Sequence, residues 1–189
     1  MNDVSTADEQ KAIEGALARF PARADLWRRL CQVMLHRRMR VPEAMLGRAF
    51  PAYPGTGAMY GFLAGPCTEA TNAGEGAHLE PVLEWLHRRF PDCALALYFR
   101  ADRLFQTERV DAAFALVHPR RDLAAQHDFL ARLYATLLWN VGRRDECRAF
   151  YEAFFESYTG DMWSDPGFAE RQREAIGRGL PPILVSTLP

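Results

Sequence analysis

Residues Leu97–Leu116 read LYFRADRLFQTERVDAAFAL, and residues Ala131–Phe150 read ARLYATLLWNVGRRDECRAF. At a shift of 34 residues Ala101 falls on Ala135, Leu104 on Leu138 and Phe105 on Trp139. Arg109 and Asp111 fall on Arg143 and Asp145, Ala113 on Cys147, and Ala115 on Ala149. That period is the length of a helix–turn–helix unit, which cannot bury its apolar face alone and must stack on its neighbours. A first unit joins the register at a shift of 69, with Leu35 on Leu104, Arg40-Val41 on Arg109-Val110 and Ala44 on Ala113. A middle unit with one extra residue is then required, at 55–91.

Helical spacing extends the pattern outward. Ala7, Ala12, Ile13, Ala16, Leu17 and Phe20 predict a helix over 6–20 that stops at Pro21, and Leu26 to Leu35 predict another over 24–38. Pro42 opens a short helix ending at Phe50, before Pro51, and Leu79 to Phe90 precede Pro91. Phe-Pro thus closes three helices. Ser164-Asp-Pro-Gly predicts the start of a polar helix over 166–177 that covers the last apolar face. The tail 180–189 is apolar and proline-containing; it packs back on the domain or recruits a partner, and truncation at Gly179 separates the two.

The middle unit is the irregular one. The stretch 55–76 holds six of the 13 glycines, its first helix is expected only near Ala58–Ala64, and 65–78 reads as a loop without helical periodicity. Such a loop is either a functional element or a mobile insertion. It contains Cys67, Glu69 and His78, the residue types of an activated thiol, without the surrounding signature of any known nucleophile.

Composition narrows the function classes. The 189 residues carry a net charge of −1 and a pI near 6.5, so no basic field draws nucleic acid or an anionic membrane. Lys11 is the only lysine among 23 basic residues, and the basic runs at 28–29, 36–38, 87–89 and 120–121 suit helix ends. The opening segment lacks a signal-peptide pattern and no apolar run reaches membrane-span length, so the expected location is cytoplasmic. Cys31, Cys67, Cys93 and Cys147 form no C-x-x-C pair, and the five histidines form no i, i+4 pair, so no metal, disulfide framework or cofactor is signalled.

Tyr134-Ala135, Leu138, Gly142, Cys147, Tyr151 and Phe154 resemble the tetratricopeptide (TPR) repeat in the order of aromatic, small, large and glycine positions. The third unit matches less well, with Glu108 in place of the turn glycine; the first has Gln32 where a small residue belongs, and the second barely matches. The resemblance implies an all-α fold: antiparallel helix pairs stacked as a short right-handed TPR-like solenoid, with units at about 24–51, 55–91, 93–119 and 122–158 and a C-terminal capping helix. It also implies a concave groove lined by the first helix of each pair. Carried over by register, the partner-binding positions are Arg29, Val33, His36 and Arg37, then Tyr98, Asp102, Phe105 and Gln106, then Arg132, Thr136, Trp139 and Asn140. The Lys/Asn/Arg set with which some family members grip a chain terminus is absent.

The repeat and the lack of a catalytic constellation lead to one principal expectation: a non-catalytic adaptor, chaperone or assembly subunit binding a protein or peptide segment. The alternative is a helical accessory protein or subunit of an enzyme, with 65–78 at its active site. A homodimer or hetero-complex through an exposed end is compatible with either.

Overall fold

The structure, a computed structural model, describes residues 3–157 and 167–180. They form α1 (Asp3–Arg19), α2 (Ala24–His36), α3 (Glu43–Ala49), α4 (Thr56–Asn72), α5 (Glu80–Arg89), α6 (Ala94–Gln106) and α7 (Val110–Val117). A 3-10 turn at His118–Arg120 leads into α8 (Arg121–Ala124), α9 (Asp128–Asn140), α10 (Arg144–Ser157) and α11 (Phe168–Gly177). The fold is all-α, without a strand among the described residues. Among the described residues no helix is long and apolar enough to cross a membrane.

The repeat is written in how helices begin and end. α6 and α9 are each 13 residues long, and both their ends are related by a shift of 34. α2 has the same length. Its entry from α1 repeats the entry of α6 from α5: Phe20-Pro21-Ala-Arg-Ala24 and Phe90-Pro91-Asp-Cys-Ala94, with Arg23 N–H donating to Phe20 O at 3.2 Å and Cys93 N–H to Phe90 O at 3.0 Å. Phe50 and Phe90 close α3 and α5 with nearly the same backbone angles, φ −129° and −131°, because a following proline excludes the helical region.

A left-handed residue follows α2, α4, α6, α9 and α11: Arg38 (φ 57°), Gly74 (65°), Glu108 (60°), Gly142 (81°) and Gly179 (71°). At each, the next residue's N–H reaches back five positions: Met39 to Met34 O, Glu75 to Ala70 O, Arg109 to Leu104 O, Arg143 to Leu138 O and Leu180 to Ala175 O. This is the Schellman cap, and it satisfies carbonyls that the helix leaves orphaned. The caps recur after 36, 34, 34 and 37 residues.

These markers correct the register of the first unit. Ala24 and Arg38 correspond to Ala94 and Glu108, a shift of 70 rather than 69. In the second helix the buried Leu46 and Phe50 correspond to the buried Ala113 and Val117, a shift of 67. Ala44, placed on Ala113 by the sequence, is exposed. Val41-Pro42 shortens and redirects this connection, so no single shift aligns both helices.

The loop expected at 65–78 is a correction of larger consequence. α4 runs unbroken from Thr56 to Asn72 with Pro66 inside it, and only 73–79 is non-helical. Gly57, Gly61 and Gly65 stand four apart on one side of this helix. Gln32 of α2 donates to Gly61 O at 2.8 Å, and the His36 ring lies so near Gly65 that an added Cβ would sit 3.2 Å from its Cε1. Gly65 lets the His36 ring lie against the α4 backbone, whereas an added Cβ at Gly57 or Gly61 would meet nothing within 4 Å. Tertiary packing here overrides poor helix propensity.

The chain forms two units, Met1–Arg103 and Leu104–Pro189, and α6 carries the main chain from one to the other. In the first, α2 packs on α1, α3 and α4, and α3 packs on α5. Its centre is the fully buried Phe50, edge-on to Phe62 at 4.9 Å and 6.5 Å from Trp85 and Phe90. In the second, α9 packs on α7, α8 and α10, and α10 on α11. Ala135 and Cys147 are both fully buried, and Cys147 Sγ donates to Ala135 O at 3.3 Å, so small residues do stand where α9 and α10 meet. α11 lies within the expected terminal helix; its Ser164–Pro166 cap and residues 181–189 of the tail fall outside the described residues.

Candidate functional site

The groove-side face read on α2 is largely engaged by α1. Arg29 pairs with Glu9 at 2.6 Å and Arg37 donates to Gln10 Oε1 at 2.5 Å. Both partners lie on α1, whose Ile13 and Leu17 are buried. Val33 is 2% exposed and offers nothing to a partner. His36 is half-buried, its Nδ1 2.7 Å from Glu69 Oε2.

That pair opens onto a hollow of about 470 Å3 at the C-terminal ends of α2 and α4. Leu35, Pro66 and Ala70, all buried, contribute its apolar lining. α2 supplies His36 and, just beyond its end, Arg37 and Arg38; α4 supplies Glu69 and Asn72, and the turn that follows supplies Glu75 and His78. Arg38 forms an exposed ion pair with Glu75. Burial lowers the pKa of His78; the facing Leu35 carbonyl opposes this, and the Arg38 and Arg103 charges add to it. Gly76, at φ 152°, is buried against Arg103, whose Cζ would lie 2.6 Å from an added Cβ.

The thiol chemistry weighed for this segment is disfavoured by its surroundings. Cys67 sits on α4, and burial, with Asp102 assisting, pushes its pKa up to about 12. Glu69 is turned to His36. Burial likewise raises Cys31 to about 12 and Cys147 to about 11. Such thiols are protonated and inert at neutral pH. Among the described residues no group of three or more His, Cys, Asp or Glu is arranged to hold a metal ion.

The other expected positions divide by burial. In the first unit Tyr98 and Asp102 are half-buried on α6, where the Tyr98 ring meets Phe99 edge-on at 5.0 Å. In the second unit Phe105, Arg132 and Trp139 are half-buried, and Gln106 and Asn140 exposed. The Arg144 guanidinium lies 5.0 Å over the Trp139 ring. Asn140 Nδ2 donates to Thr136 O at 2.8 Å. Thr136 is 3% exposed and donates to Arg132 O, so it belongs to the interior. The sequence reading missed a polar cluster beside this face: His118 Nδ1 is 2.8 Å from Tyr134 Oη, and Arg143 lies 5.2 Å over Phe114 and 3.3 Å from His118 Nε2. It also missed Arg38, Asn72 and Glu75 as members of the hollow. The Gly74-x-Gly76 doublet was their signal, since it marks a helix end.

No protein-family model matches the chain, no curated protein matches it, and no solved structure matches it.

Proposed function

We propose that the chain is a non-catalytic protein–protein interaction module, an adaptor, chaperone or assembly subunit, built as a short right-handed TPR-like solenoid. The observation that supports this best is the recurrence of the left-handed cap after 36, 34, 34 and 37 residues, each time at the end of one helix of the series. Helix ends that recur at near-constant intervals are what stacked helix–turn–helix units produce. Presenting a surface to an extended partner is the ordinary use of such arrays.

The contact residues are those of the repeated helices that keep exposure. In the second unit these are Phe105, Gln106, Arg132, Trp139 and Asn140, two aromatics, two amides and an arginine. In the first unit they are Tyr98 and Asp102. The test is affinity capture from the native host with mass spectrometry, comparing the natural chain with Arg132→Ala/Asn140→Ala and, separately, Tyr98→Ala. A protein retained by the natural chain and depleted about tenfold or more by either variant supports the reading. Recovery of the same proteins in the same amounts by all three chains overturns it.

A further inference from the structure

The hollow of the first unit has two walls of opposite sign. Arg37 and Arg38 stand at the end of α2, while Glu69, Asn72 and Glu75 stand at and beyond the end of α4. Both helix ends carry partial negative charge, which the arginines complement. The carboxylates do not. Glu69 occupies a last turn that holds no basic residue, where the dipole disfavours it, and its partner His36 lies on α2.

The charged groups of both walls are exposed and each engages a single partner. Arg37 donates through Nη1 to a neutral amide, that of Gln10. Glu69 and Glu75 each engage one carboxylate oxygen, and the Asn72 amide makes no side-chain bond among the described residues. The Arg38–Glu75 pair is more than half exposed on both sides, and solvent weakens such a pair, so a ligand separates it at little cost. The formal charges of the two arginines and two glutamates cancel. A purely anionic or cationic ligand therefore loses at one wall what it gains at the other. A ligand bearing both charges satisfies both, and a volume of about 470 Å3 lies in the range of small-molecule sites.

We propose that this hollow binds a zwitterion of the α-amino-acid type, its ammonium on Glu69 and Glu75, its carboxylate on Arg37 and Arg38, and its apolar portion on Leu35, Pro66 and Ala70. The inference does not rest on the repeat-module reading. Free amino acids and short peptides share this chemistry.

Calorimetric titration of the full chain with free α-amino acids and dipeptides, each beside its N-acetylated and its carboxamide form, tests it. Saturable binding of a zwitterion at millimolar concentration or below is expected, weakened about tenfold or more when either charge is blocked. Glu69→Gln/Glu75→Gln should weaken it similarly. Binding by free amino acids alone identifies the ligand as free, and binding by dipeptides alone identifies a peptide. No saturable binding across the panel, or equal binding of the blocked forms, overturns the proposal. The blocked-form comparison uses the natural chain, so it decides the matter even if the variant fails to fold.

Discussion

α4 and α9 end in the same left-handed glycine cap, yet they reach their neighbours by different means. α9 buries eight of its 13 residues and packs through side chains such as Leu137 and Leu138. α4 buries five of its 17, and its contacts with α2 include Gln32 on the Gly61 carbonyl and the His36 ring against Gly65. The same capped helix can thus be fixed by what it presents and, at Gly65, by what it leaves out. The second arrangement brings Glu69 within reach of His36 and leaves a hollow beside the pair.

The contrast can be broken from the α9 side first. Leu138 is 1% exposed, and Leu138→Ala should cost about 2–5 kcal/mol in denaturant unfolding, since lost burial and a cavity add together. On the α4 side the damaging change is an enlargement. Gly65→Leu should cost about 1–3 kcal/mol by forcing the His36 ring away.

Smaller effects sharpen the comparison. At equivalent caps, Gly142→Ala should lose about 1 kcal/mol and Glu108→Gly should gain about 0.5–1 kcal/mol, read as opposite shifts of the unfolding midpoint. Gly61 is exposed with nothing within 4 Å of an added Cβ, so Gly61→Ala should raise stability by about 0.5–1 kcal/mol where Gly65→Leu lowers it. The smallest effect concerns pH. Burial is the leading cause of lowered pKa in both His78 and His127. Below about pH 6.5 the unfolded chain takes up protons that the folded chain resists, so stability should fall as the pH drops through that value. His78→Gln should flatten the slope of unfolding free energy against pH just below about pH 6.5.

Much of the fold was legible wherever a residue type dictates backbone geometry. Phe-Pro at 20–21, 50–51 and 90–91 marked helix ends because proline constrains the residue before it. Gly142 marked a cap in the same way. Arg38 and Glu108 hid theirs, since neither residue type favours the left-handed region they occupy. α4 was misread because glycine and proline signal a break locally, whereas here the helix continues through them and Gly65 serves contact with a helix distant in sequence. The candidate site was less legible for a related reason. Period and register placed Arg29 and Arg37 on one face of α2, but pairing with Glu9 and Gln10 is non-local and carries no period.

The make-up of α4 also bears on what holds it helical. With glycine at 57, 61 and 65 and proline at 66, a free peptide spanning 56–72 has little reason to nucleate a helix in water. α2 has no interior glycine or proline and ends in its own cap. α4 therefore depends on its packing in this unit for its helical shape, and an isolated peptide spanning 56–72 should show little helix by circular dichroism.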